Sequence, residues 1–141
     1  MFAILDTDHF SAIDRESAVA QVFQRRRREY AGELFISIIT VEEVMRGWLA
    51  LLASKKKRRD EIAVYERMQR SAEMIGEWQI LPFDDDALEN VERLKSARLK
   101  MSTLDLKIAS IALAYDATLL SRNLRDFRQV PGLRVENWLD D

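Results

Sequence analysis

Cysteine is absent from these 141 residues, histidine appears once, and glycine and proline number only four and two. Without cysteine there can be no disulfide framework, no thiolate metal site and no cysteine nucleophile. A cysteine-free chain also suits a reducing compartment, so the expected location is the cytoplasm. The lone histidine, His9, excludes a nuclease that uses a histidine pair as acid and base. No apolar run approaches the roughly 20 residues that a membrane helix needs. Asp6 interrupts the opening apolar stretch too early for a signal peptide. No repeat or low-complexity linker divides the chain, and its length fits one domain over 1–141.

Hydrophobic residues make up 48% of the chain, enough for a sizeable core. The 22 basic residues nearly balance the 24 acidic ones, which argues against a broadly basic nucleic-acid binder. The basic charge is clustered instead, as RRRR at 25–28 and KKKRR at 55–59. Each run reads either as a solvated helix face or as an attraction for phosphates or an acidic partner.

Apolar segments and helical periodicities alternate along the chain. FAIL at 2–5, LFISI at 34–38, QILPF at 79–83 and ATLLS at 117–121 read as short buried strands, and RVENW at 134–138 as a last edge strand. Helices are expected around 15–30, from Thr40 through Leu52, and over 60–77 with Ile62, Tyr65, Met68, Ala72 and Ile75 at spacings of three and four. Another follows Asp84, a good N-cap, with Leu88, Val91 and Leu94 inward, and an almost wholly apolar one spans 104–116. Strands that are apolar on both faces and alternate with helices predict an α/β fold, a central parallel sheet covered by helices on both sides.

Ligands of such sheets bind beyond the carboxyl ends of the strands, so the residues leaving each strand matter most. Asp6 leaves the first strand, with Asp8 and His9 just after it. Thr40, Glu42 and Glu43 follow the second. Asp105 opens the apolar helix, and Ser121, Arg122, Asn123 and Asp126 follow ATLLS. Each has a local reading. Asp6 could cap a helix, Thr40-x-x-Glu43 and Ser102-x-x-Asp105 match capping boxes, and Asn123 and Asp126 suit a turn. Taken together they predict several carboxylates in one cleft, where like charges resist ionisation unless a cation offsets them. Oxygen donors without cysteine favour Mg²⁺ or Mn²⁺ over zinc.

The ordered set ILDTDHFS at 4–11, SIITVEEVMRG at 37–47, STLDLKIASIALAYDATLLSRNLRDF at 102–127 and VPGLRVENW at 130–138 resembles the PIN-domain ribonucleases, especially the VapC-type toxins of toxin–antitoxin pairs. The resemblance covers nearly the whole chain. It implies a Rossmann-like PIN fold, a metal-dependent endoribonuclease with Mg²⁺ or Mn²⁺ as cofactor, an RNA substrate and a cognate antitoxin. Position by position it assigns Asp6, Glu43 and Asp105 as catalytic, metal-binding acids. At the fourth position this chain carries Asn123 where many relatives have aspartate, and Asp126 three residues on is the other candidate for the site. Asp8 stands where asparagine is commoner and is expected to add supporting charge, with Ser121 and Thr103 as hydrogen-bonding supports. His9 is expected to be structural.

Two other readings stay open. Apolar-Asp-x-Asp also opens haloacid-dehalogenase-like phosphatases, with Asp6 as nucleophile and Asp8 as acid and base, although ATLLS is not followed by the paired acids those enzymes use. A degenerate PIN module that only binds RNA or protein is the second. The region 40–77 also carries Trp48, Leu49, Leu51 and Leu52. These either belong to the core or await cover by an antitoxin helix or by a second copy of the chain in a homodimer.

Overall fold

In the computed structural model, which describes residues 1–14 and 17–140, the five strands form one wholly parallel sheet. They are β1 (Phe2–Leu5), β2 (Glu33–Ser37), β3 (Ile80–Leu81), β4 (Thr118–Leu120) and β5 (Val135–Glu136). Their spatial order is β3-β2-β1-β4-β5, which puts the first strand at the centre. Leu5 stands level with Ile36 on one side and Leu120 on the other. The first three strands step outward from β1 in one direction and the last two in the other. The topology therefore reverses between β1 and β4, where a doubly wound sheet leaves its crevice.

The described helices are α1 (Thr7–Asp14), α2 (Ala18–Glu29), α3 (Ile38–Ser54), α4 (Arg58–Gly76), α5 (Asp85–Ser96), α6 (Thr103–Ala114) and α7 (Leu124–Phe127). Alternation along the strands builds a core on each face of the sheet. Ile4, Phe35 and Leu119 pack with Leu94, Ile108, Ile111 and Phe127. Ala3, Leu5, Ile36 and Leu120 pack with Phe10, Phe23, Ile75 and Trp138 on the other face. The expected α/β sheet, covered on both sides, is the one that forms. No described helix is long and apolar enough to cross a membrane.

Several local expectations need correction. ILDTDHFS runs directly into helix α1, which periodicity did not signal because eight residues hold barely two turns. The helix expected around 15–30 is described from Ala18 to Glu29, and Arg15 and Glu16 lie outside the described residues. Helix α3 starts at Ile38 rather than Thr40, and Ser37 is its N-cap, accepting from the Thr40 N–H at 3.2 Å. Thr40-x-x-Glu43 is therefore no capping box, whereas Ser102 does cap α6 by accepting from the Asp105 N–H at 3.1 Å. On α5, Ala87 faces inward and Leu88 is exposed.

Helix α4 turns a different face to the core than its apolar spacing suggested. Val64, Ser71 and Ile75 are buried, with Met68 half-buried between them, while Ile62 and Tyr65 are more than half exposed. Two rows of residues at three- and four-residue spacing compete on this helix, and packing against α3 rather than hydrophobicity chooses between them. The RRRR run closes α2, where cations suit the helix C-terminus. There Arg27 lies over the Trp78 ring and Arg26 donates to the Asp140 carbonyl. The KKKRR run spans the exposed link into α4.

Val64→Ala should cost about 1–3 kcal/mol and Ile62→Ala within about 0.5 kcal/mol. Urea unfolding of the two variants checks which row faces inward, and equal losses would reverse the assignment.

Candidate active site

The site begins with the last bonds of the central strand. Asp6 follows Leu5, its N–H donates to the Leu120 carbonyl at 3.0 Å, and its own carbonyl accepts the first helical bond of α1, from the Phe10 N–H. Its Oδ1 accepts from the His9 N–H at 2.8 Å. Asp6 is therefore the N-cap of α1, and it is also a buried acid at the carboxyl end of β1. The cap bond engages only one oxygen of the carboxylate, Oδ1.

Glu43 comes from α3, one turn beyond Thr40. Its Oε1 accepts from the Thr7 hydroxyl at 2.7 Å, and the Thr7 oxygen lies 3.1 Å from that of Thr40. With the Thr7 proton committed to Glu43, Thr40 donates to Thr7, giving a chain from Thr40 to Thr7 to Glu43. Thr40 is fully buried, so this chain is anchored in the core. Thr40 stood among the strand-end residues in the sequence, whereas Thr7, inside ILDT, did not.

Asp105 lies in the first turn of α6. Its carboxyl is pushed above the usual carboxylate range, first by burial and then by the charges of Glu43, Asp6 and Asp126, while the Ser102 hydroxyl pulls the other way. Acids from α3, β1 and the segment after β4 thus reach Asp105 electrostatically. Like charges acting on one carboxyl favour its protonated form.

After β4, the buried Ser121 hydroxyl accepts from the Asn123 N–H at 2.9 Å, and Asn123 Nδ2 donates to Asp126 Oδ2 at 2.9 Å. The fourth position is consequently a pair, with the amide of Asn123 holding the carboxylate of Asp126. Thr103 opens α6 and is exposed. Asp8 is exposed in the first turn of α1 and is absent from the charges that act on Asp105, so its place is that of an acid at a helix N-terminus. His9 is fully buried, as a structural histidine should be.

Among the described residues, no three His, Cys, Asp or Glu side chains already close around one point as a finished metal site. The donor chemistry nevertheless fits a hard divalent cation: oxygen ligands from separate elements, without sulfur, whose mutual repulsion a cation would relieve.

The PIN domain model matches residues 3–133, which takes in every one of these strand ends. The chain belongs to the PIN domain family. It is 27% identical over 139 residues to the ribonuclease VapC1 of Rickettsia felis, covering 96% of this chain and 95% of that protein. It is 42% identical to ribonuclease VapC2 of the same organism over 45 residues, a match spanning only about a third of that protein. The fold is similar to that of a chain in DNA-bound VapBC from Salmonella typhimurium, with a TM-score of 0.78 at 22% identity over 98% of both chains. A PIN domain leaves no place for the phosphatase reading.

A carboxyl raised in the folded state binds its proton more tightly folded than unfolded. The stabilising contribution of Asp105 is therefore complete below the ordinary carboxylate range and is lost as pH rises through the raised value. Removing that charge should help the metal-free protein. Asp105→Asn is expected to raise Tm at neutral pH by about 2–5 °C, the shift that roughly 1 kcal/mol gives a chain of this size. The gain should shrink as the pH is lowered toward 4, and calorimetry in chelator against pH checks it. An unchanged or lower Tm at neutral pH would mean that the acids do not repel.

Proposed function

We propose that this chain, as a single PIN domain over 1–141, is a metal-dependent endoribonuclease of the VapC type, a toxin restrained by a cognate antitoxin. The observation that carries the reading is the crowding of Asp105 by Glu43, Asp6 and Asp126 at the reversal of the sheet. In this reading Asp6, Glu43 and Asp105 hold Mg²⁺, with Mn²⁺ as a substitute, and Asp126 completes the set. A bound divalent cation supplies a more acidic water and offsets charge on a phosphoryl group.

The chain's own residues orient that chemistry. Thr7, steadied by Thr40, fixes the Glu43 carboxylate. Ser102 fixes the first turn of α6 and so the direction of Asp105. In this reading Asn123 acts through Asp126, donating one amide hydrogen bond to that carboxylate rather than replacing its charge. The contact between the Asn123 amide and Asp126 supports this reading over a degenerate module, because it keeps an acid beside position 123.

RNA is the substrate this reading assigns. The exposed apolar residues Met45 and Leu49 of α3 and Ile62 and Tyr65 of α4 form the surface available to an antitoxin helix or to a second copy of the chain.

Asp6→Asn should lower cleavage of RNA at least roughly 100-fold, since an interaction of several kcal/mol with developing charge is lost. Excess chelator should abolish cleavage in the parent, and full activity in chelator would end the metal reading. Asp126→Asn should lower the rate clearly more than Asn123→Ala does, measured as cleavage against Mg²⁺ concentration. If Asp126→Asn follows the parent across that titration, the site runs on three acids. Expression of the parent alone should slow growth, and coexpression of the antitoxin should restore it.

A further inference from the structure

His9 is fully buried, and its two ring nitrogens face two different parts of the molecule. Nε2 accepts from the backbone N–H of Trp138 at 3.1 Å, a buried bond that joins residues 129 apart in the chain. Nδ1 has no hydrogen-bond partner of good geometry among the described residues, and it lies 3.4 Å from Asp6 Oδ1.

The Trp138 bond decides the tautomer. With Nε2 as acceptor, the proton of the neutral ring sits on Nδ1, because the other tautomer would set two donors against each other. A buried N–H then faces the first acid of the site, and leaving such a donor unmatched is costly.

Both the His9 backbone N–H and the Nδ1 atom lie on the Oδ1 side of the Asp6 carboxylate, at 2.8 and 3.4 Å. Trp138 is itself fixed by two rings, one in α2 and one at its C-cap. Its ring centroid is 5.8 Å from that of Phe23 and 5.1 Å from that of Tyr30. Beyond it, the Asp140 carboxyl is held below the usual carboxylate range by Asn137 and then by Arg122. The segment after β5 is thus pinned on both sides of its bond to His9.

We propose that His9 is a positioning residue: fixed as the Nδ1–H tautomer by the Trp138 amide, it holds Asp6 by Oδ1 and leaves Oδ2 for the cation. The docked segment 137–140 thereby sets the orientation of the first acid, from the far end of the chain. This rests on the metal reading of Asp6 given above.

Two substitutions separate the two ring nitrogens. In His9→Asn the amide nitrogen falls where Nδ1 was, so the donor toward Asp6 survives and the acceptor for Trp138 is lost. In His9→Gln the amide oxygen falls where Nε2 was, so the Trp138 bond survives and the donor toward Asp6 is lost. With Mn²⁺ alone as the probe, His9→Gln is expected to bind about 10–100-fold more weakly than the parent, the range seen when outer-shell partners are removed. His9→Asn is expected to bind Mn²⁺ more tightly than His9→Gln does while melting lower than it, by about 3–8 °C for one buried amide left unmatched.

Long-range ¹H–¹⁵N spectra of the parent in chelator supply a measurement that needs no variant, and they should report the Nδ1–H tautomer. An Nε2–H tautomer overturns the proposal, as does His9→Gln with the Mn²⁺ affinity of the parent. A parent that binds neither Mn²⁺ nor Mg²⁺ ends the metal reading and this inference together, whereas normal binding by the parent with an unaffected His9→Gln ends this inference alone.

Discussion

The bond from the His9 N–H to Asp6 Oδ1 is where this structure changes from scaffold to site. It ends the central strand, starts α1 and fixes the carboxylate in one step. A parallel strand must hand its chain to a helix across the sheet, and the first N–H groups of that helix need acceptors. Supplying one from a buried aspartate satisfies the helix with a single carboxylate oxygen at the carboxyl end of β1. Much of the surrounding structure follows from that placement. Thr7, the first residue of α1, reaches Glu43 because the helix starts where it does, and His9 turns inward because it is two residues farther on.

The acids that gather beyond the strands are a cost to the fold, visible in the raised carboxyl of Asp105. Uncharged groups manage that cost locally. Threonine hydroxyls hold Glu43, a serine caps the helix that carries Asp105, and an asparagine amide holds Asp126. Each partner is an uncharged group: the Thr7 hydroxyl and the Asn123 amide donate to carboxylates, and the Ser102 hydroxyl accepts from the Asp105 N–H. A lysine or arginine in those places would have offset that charge. Arg122, which follows β4, is engaged with Asp140.

The two basic runs and the exposed apolar residues show how differently similar patterns resolve. Arg26 and Arg27 have specific partners on the C-terminal segment and on Trp78, while the run at 55–59 forms a solvated link. On α4, equal hydrophobicity on two rows leads to one row in the core and the other on the surface. Hydrophobic pattern sets how many residues want cover, and helix rotation sets which of them receive it.

The sequence by itself determined the class of fold, most of its elements and the residue types available for chemistry. Strands apolar on both faces demand a doubly covered parallel sheet, and that demand is local, readable as short runs of Ile, Leu and Phe. Asp6 was legible for the same reason, since it follows its strand directly, whereas Glu43, Asp105 and Asp126 lie on helices and were picked out by their order along the chain. What only the tertiary structure decided lies in contacts between distant segments. Ser37 rather than Thr40 caps α3 because the strand ends there, which frees Thr40 to support Thr7. Asn123 and Asp126 become one unit rather than two candidates because a short turn brings amide to carboxylate. The tautomer of His9 is set by the amide of Trp138, 129 residues away, and a single ring with two interchangeable nitrogens carries no trace of that choice in its own neighbourhood.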